Sequence, residues 1–246
     1  MSNAKKPRFI FFDAFGTLFG FGGKADPPAD FRRLLASNGV EVPMDAARTA
    51  IAQEMAFFRN QQRKVRTRDE LEQLRRDCGI LTIDALGGPM VCPLPPERVG
   101  QILADTFPNV AFPEVTPAVR LARGAGAGVG VLSNFSYLLP LILEDLGLRH
   151  LFDVVVFSAE VGAEKPDPAI FLEASRVAGV ELRDAALIGD TYDEDVVGAR
   201  SVDLEVVYLD RSGGSRRDDV PVARDLIEAV ELLVGVEGSA PSRSSA

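Results

Sequence analysis

Five short apolar runs in this chain show no alternation of apolar with polar residues, and that property decides what kind of sheet they can build. They are RFIFFDA (8–14), GVGVLSN (128–134), FDVVVFS (152–158), AALIGD (185–190) and EVVYLD (205–210), all dense in Val, Ile or Phe. A strand with one wet face alternates, whereas a strand covered on both faces does not. Helical patterns lie beside the later runs: TPAVRLARGAG (116–126), SYLLPLILEDLG (136–147), DPAIFLEASRVAG (167–179) and DEDVVGARSV (193–202). Strands alternating with helices of about 10 to 15 residues predict an α/β fold with a doubly wound parallel sheet.

The stretch 20–110 has another texture. It holds no convincing strand, and DFRRLLASNG (30–39), DAARTAIAQEMAFFRNQQ (45–62), TRDELEQLRRDCG (67–79) and PPERVGQILADTF (95–107) all read as helices. The expected organisation is therefore an α/β core from 1–19 and 111–235, with a helical domain, 20–110, inserted after the first strand. A chain of 246 residues suits one large domain with a smaller insertion. The small, polar segment 236–246 is expected to be a disordered tail.

Charge and cysteine use narrow the function classes. Lys and Arg total 27 against 36 for Asp and Glu, a net charge of -9, so nucleic acid is not an expected partner. No apolar run approaches the roughly 20 residues that span a bilayer, and the first residues lack a signal-peptide apolar region, so no membrane partner is expected. Two cysteines, Cys78 and Cys92, are too few for a disulfide framework and suit a reducing, cytoplasmic setting. The single histidine, His150, sits in LGLRHLFD at an expected helix-to-strand turn, a poor basis for Ser-His-Asp catalysis.

In an open parallel sheet, ligands bind at the carboxyl ends of the strands. The first, second and fourth runs end there on Asp13, on Ser133 with Asn134, and on Asp190. Lys165, in VGAEKPDPAIF, follows the third run, and Asp190, Asp193, Glu194 and Asp195 crowd the turn after the fourth. Each has a plain reading as well: Asp13 as a turn residue, Ser133 and Asn134 as helix caps, the acidic cluster as a first turn favoured by the helix dipole. Together they describe an anion site. One carboxylate can act as nucleophile, a hydroxyl and backbone amides can hold substrate oxygens, and a lysine can offset their charge. Acidic residues with a main-chain carbonyl can hold Mg²⁺, which prefers oxygen ligands and keeps several waters.

These residues resemble the haloacid dehalogenase (HAD) superfamily of hydrolases, in the subfamily whose helical cap is inserted after the first strand. Asp13 with GTL fits the first motif, Ser133 the second, Lys165 in KPDPAIF the third, and Asp190 with Asp195 in GDTYDEDVVGA the fourth. The resemblance implies a Rossmann-like core, Asp13 as nucleophile, Ser133 as the hydroxyl on the transferred group and Lys165 as charge stabiliser. It implies Thr17 and Asn134 beside Ser133 and Lys165 at the substrate. It implies Mg²⁺ held by Asp13, the main-chain carbonyl of Phe15 and Asp190, with Asp195 in support.

Phe15 departs from the pattern. Phosphatases of the superfamily carry a second aspartate two residues after the nucleophile, where it protonates the leaving oxygen and then activates water. DAFGTLF instead resembles the 2-haloacid dehalogenases, whose halide leaves without a proton, and Ser133-Asn134 suits that branch too. Asp190 argues the other way, because those dehalogenases work without metal and place a serine there. The expected activity is a Mg²⁺-dependent phosphatase of a small molecule, a phosphate ester. The alternatives are a dehalogenase-like hydrolase and a weakly active or non-catalytic phospholigand-binding relative. The inserted segment adds Arg59, Arg63, Lys64, Arg66, Arg68, Arg75 and Arg76, which form either a solvated face or a set from which one or two reach the substrate. Phe15, Phe19 and Phe21 are read either as an apolar wall or as packing between the two domains.

Overall fold

All pairings in the larger sheet are parallel, as the unalternating runs require. The computed structural model describes residues 6–22, 26–215 and 217–235, so the expected tail at 236–246 lies outside the described residues. The strands are β1 (Phe9–Phe12), β2 (Phe19–Phe21), β3 (Asn109–Ala111), β4 (Gly128–Ser133), β5 (Val154–Phe157), β6 (Ala185–Gly189), β7 (Glu205–Leu209) and β8 (Val222–Ala223). Six of them form one sheet in the order β5-β4-β1-β6-β7-β8. β1 lies between β4 and β6, with Phe12 in register with Val131 on one side and Ile188 on the other. Strand order runs outward from β1 in both directions, so the crevice where ligands bind in such sheets falls at the ends of β1, β4 and β6. The three strands that end on Asp13, Ser133 and Asp190 are thus neighbours.

The chain divides into two compact units. One contains the residues up to Gly20, Ala111–Phe135 and those from Leu143 onward; the other contains Phe21–Val110 and Ser136–Ile142. In the second, α1 (Pro27–Ser37), α2 (Met44–Gln61), α3 (Arg68–Ala85) and α4 (Pro96–Thr106) account for the inserted segment. α1 opens with Asp26 accepting from Ala29 N, and α3 with a capping box between Thr67 and Glu70. α3 was expected to stop at Gly79 and instead continues to Ala85. Gly79 lies at a helix crossing: a Cβ there would stand 2.0 Å from the carbonyl oxygen of Pro96, and one on Gly100 would stand 2.3 Å from that of Arg75. The two glycines let α3 and α4 approach backbone to backbone.

The remaining helices are α5 (Val115–Gly124), α6 (Leu138–Asp145), α7 (Ser158–Val161), α8 (Pro168–Ala178), α9 (Gly198–Ser201) and α10 (Leu226–Val234). α8 starts where Asp167 accepts from Ala169 N with Pro168 at its first position, and it ends on Gly179. Phe9, Phe11, Leu132, Val156, Ile170, Phe171, Leu187 and Val196 belong to one buried cluster. Burial of each such large side chain contributes about 1.5–3 kcal/mol. Three features differ from the sequence expectation. β2 and β3 pair as a two-stranded ribbon where no strand was expected; β8 and α10 extend the core beyond β7; and the helix expected at 193–202 begins as a π-helical turn, Tyr192–Val197, before α9.

Candidate active site

Lys165 is the centre of the site. Its side chain is 1 % exposed, and its ammonium donates to Asp13 Oδ1 at 2.6 Å, to Asp195 Oδ1 at 2.5 Å and to the Leu132 carbonyl at 3.2 Å. Three N–H donors meet three acceptors, which is the full capacity of a lysine. Burial alone would depress its pKa, but the adjoining charges of Asp13 and Asp195 outweigh that and hold it above the ordinary lysine value. The lysine is therefore a fixed cation. Removing it would leave two buried carboxylates without their partner, a loss of about 3–5 kcal/mol.

Asp13 follows β1 directly, 7 % exposed, and its N–H donates to Ile188 O at 2.9 Å, which continues the pairing with β6 past the strand's end. Asp195 comes from the π-helical turn and is fully buried. Its second oxygen accepts from Thr191 N at 2.9 Å. Asp190 ends the β6 segment half-buried, with the Thr17 hydroxyl donating to it at 3.3 Å. Burial, then the charge of Asp13, push Asp190 up to about 6. Burial also raises Asp195, with its ion pair to Lys165 opposing.

One ligand oxygen from each of Asp13, Asp190 and Asp195 can be chosen so that all lie within 4.8 Å of one another. When ionised the trio carries three negative charges against the single positive charge of Lys165. The remaining charge of two, on hard oxygen donors in a partly desolvated site, is the complement of a small divalent cation. The residues present therefore fit Mg²⁺.

The remaining expected residues divide. Ser133 is buried at the end of β4, in register with Phe157. Asn134 turns its amide to the chain rather than outward: Oδ1 accepts from Lys165 N at 2.6 Å, while Nδ2 donates to Lys165 O at 2.8 Å and to Glu194 Oε2 at 2.9 Å. That bidentate clasp fixes the lysine's backbone. Phe15 is 40 % exposed, its ring edge-on to buried Phe19 at 5.9 Å, and Phe19 meets Phe135 at 6.1 Å.

The sequence profile of the haloacid dehalogenase-like hydrolases matches residues 7–203, most of the chain and every residue of the site. The chain belongs to this family. Curated relatives include a glyceraldehyde 3-phosphate phosphatase of Methanopyrus kandleri, 35 % identical over 49 % of this chain and 52 % of that protein. A phosphoserine phosphatase of Thermus thermophilus is 37 % identical over 53 % of this chain and 54 % of its own length. The human haloacid dehalogenase-like hydrolase domain-containing protein 3 is 40 % identical over 50 % and 51 %. The chain thus spans about half the length of these relatives. Among solved structures, an HAD phosphatase from Thermococcus onnurineus superposes with a TM-score of 0.57 at 24 % identity, covering 92 % of this chain and 97 % of that one. A 2-haloacid dehalogenase from Pseudomonas syringae gives 0.58 at 22 %, covering 93 % and 99 %. Both share the fold of this HAD hydrolase.

In the sequence Glu194 stands out only as one of the acidic residues of the turn after the fourth run, and Arg211 does not stand out at all. Glu194 accepts from Asn134, and Arg211 grips the loop after Asp13: its guanidinium donates to Gly16 O at 2.9 Å, to Thr17 O at 2.7 Å and to Glu114 Oε1 at 2.5 Å, and lies 3.6 Å above the Phe112 ring. A basic residue directly after the acidic end of β7 was the one available signal. In the helical unit, Arg75 pairs with Glu72, Arg76 with Glu97, Arg59 donates to Met55 O and Lys64 to Gln61. Arg66 stacks 3.7 Å over Tyr137. Those basic side chains have partners within their own unit, and the side chain of Arg63 lies outside the described ones. Phe21 meets Phe107 at 5.9 Å, also within that unit. Cys78 and Cys92 are free and buried, and His150 lies exposed in the turn Arg149–Leu151. No helix among the described residues is long and apolar enough to cross a membrane.

Proposed function

We propose that this hydrolase is a Mg²⁺-dependent phosphatase of a small phosphate ester, working in the cytoplasm, with Asp13 as nucleophile. The observation that carries the reading is the three-carboxylate cluster held by one fully engaged lysine. Asp13, Asp190 and the Phe15 carbonyl would hold the ion, with Asp195 in support. Bound there, Mg²⁺ would offset charge on the transferred phosphoryl group.

The chain's own residues account for the rest. Lys165 pairs with Asp13 and fixes one of its oxygens, leaving the other to attack phosphorus. Asn134 holds Lys165 in place, and the Ser133 hydroxyl lies at the neighbouring strand end to receive a phosphoryl oxygen. Attack forms an aspartyl phosphate and releases the leaving group, and water then cleaves the acyl phosphate and restores Asp13. The helical unit, inserted in sequence between β1 and β4, is assigned as the cap that selects substrate. The names of the relatives support phosphate esters over haloacids.

Phe15 favours a second reading, a 2-haloacid dehalogenase, because halide needs no proton to leave. A panel of phosphate esters and 2-chloropropionate, each with Mg²⁺ and with EDTA, decides between them. Phosphate release that requires Mg²⁺ and disappears in Asp13→Asn is expected. Chloride release in EDTA, with no phosphate from any ester, would replace the proposal with the second reading.

A further inference from the structure

Resting on the phosphatase reading above, we infer that the substrates are phosphates whose leaving group departs as a stable anion, either mixed carboxylic-phosphoric anhydrides or phosphate esters of acidic phenols and enols. The inference comes from where protons can and cannot be found around Asp13.

An alcohol leaving group must gain a proton as the P–O bond breaks, and a positioned acid supplies about 100 to 10,000-fold of the rate. At the position two residues after the nucleophile this chain has Phe15, whose ring carries no transferable proton. Among the described residues, the neighbours of Asp13 do not replace it. Lys165 has all three N–H groups engaged, with Asp13, Asp195 and Leu132 O. Asp195 has both oxygens engaged, one with Lys165 and one with Thr191 N. Asp190 accepts from Thr17 and belongs to the proposed ion set. The Ser133 hydroxyl is an alcohol, far too weak an acid to serve. What Phe15 offers, exposed and braced edge-on by Phe19 and then Phe135, is apolar surface suited to a carboxylic or aromatic leaving group.

The atoms balance without an enzyme-borne acid. An Asp13 oxygen bonds to phosphorus while the bond from phosphorus to the leaving oxygen breaks. Its electron pair stays on that oxygen as carboxylate, phenolate or enolate. Water then bonds to phosphorus, the bond to Asp13 breaks with its electron pair returning to the carboxylate, and both protons of the water leave with dihydrogen phosphate. The second step also lacks a base at position 15, so the aspartyl phosphate is longer-lived than one beside a carboxylate.

The test is kcat/KM with Mg²⁺ across acetyl phosphate, dinitrophenyl phosphate, phenyl phosphate and a primary alkyl phosphate. Acid-quenched intact mass of the enzyme is measured in parallel, for both the wild type and Phe15→Asp. For the wild type, acetyl and dinitrophenyl phosphate should exceed the alkyl phosphate by about 100-fold or more beyond the ratio seen in Phe15→Asp. The quenched wild type should carry one added phosphoryl group, and Phe15→Asp should carry less. Wild-type hydrolysis of alkyl and acyl phosphates at similar rates would overturn the inference and leave the phosphatase reading intact. Phosphate release from none of the four would overturn both.

Discussion

A Cβ on Gly16 would lie 2.0 Å from Oδ2 of Asp190, and Gly16 itself has a φ of +86°. The loop after the proposed nucleophile therefore passes so close to the carboxylate at the end of β6 that only hydrogen fits between them. Gly16→Ala should displace Asp190 and strain the turn, the latter at about 1–2 kcal/mol. Mg²⁺ affinity, measured by calorimetry, should fall about 10 to 100-fold while the far-ultraviolet circular dichroism stays native. Wild-type affinity in Gly16→Ala would show that Asp190 takes no part in ion binding.

That contact also explains what the sequence could and could not display. Asp13, Ser133 and Asp190 stand out because each ends an unbroken apolar run, and an all-parallel sheet brings such ends together. Gly79 shows the opposite case. It reads as a helix stop, yet it is interior to α3 because α4 presses on it, and pairwise closeness leaves no local trace. β2 and β3, each of three residues, are too short to show a period. Arg211 acts on carbonyls 195 and 194 positions away, so no window along the chain contains both partners. Asn134 was visible as a strand-end amide, but only the fold shows that its amide clasps Lys165.

Arg211 holds the Gly16 and Thr17 carbonyls with one planar fork and Glu114 with the other edge. Lysine cannot reproduce that geometry. Arg211→Ala should lose roughly 1–3 kcal/mol for each partly buried acceptor left without a donor, and it should weaken Mg²⁺ binding through the loosened loop. Arg211→Lys should recover only part of either loss. Wild-type melting and Mg²⁺ affinity in Arg211→Ala would remove the residue from any positioning role.

Glu54 lies buried on α2 within the helical unit, where burial raises its pKa and a hydrogen bond with the Cys78 thiol lowers it by less. A carboxyl with a raised folded-state value ionises less readily in the folded chain than in the unfolded one. The native state binds the extra proton, so stability falls as pH rises from the unfolded value of about 4.3 through the folded one. Glu54→Gln removes the penalty while keeping shape and a hydrogen-bonding group. Its melting temperature should exceed the wild type's at about pH 8, with the margin closing toward about pH 4. A Glu54→Gln protein less stable than the wild type at both would show that the ionised carboxylate is accommodated.

Asp190, pushed up to about 6 by burial and by Asp13, ties ion binding to pH in the same way but with an opposite readout. Without an ion, protonation near that value relieves repulsion between Asp190 and Asp13, so this group makes the native state more stable as pH falls from about 6 toward the unfolded value near 3.9. An ion needs the carboxylate ionised, so below about pH 6 each bound Mg²⁺ must expel a proton. Apparent Mg²⁺ affinity should be flat from about pH 8 to 7 and then fall, approaching tenfold per pH unit for one displaced proton. Calorimetry in two buffers of different ionisation enthalpy should count that proton directly. Asp190→Asn should bind Mg²⁺ weakly at every pH, without the slope. An affinity unchanged down to about pH 5 in the wild type would mean that Asp190 is not an ion ligand, and the metal reading of the site would fall with it.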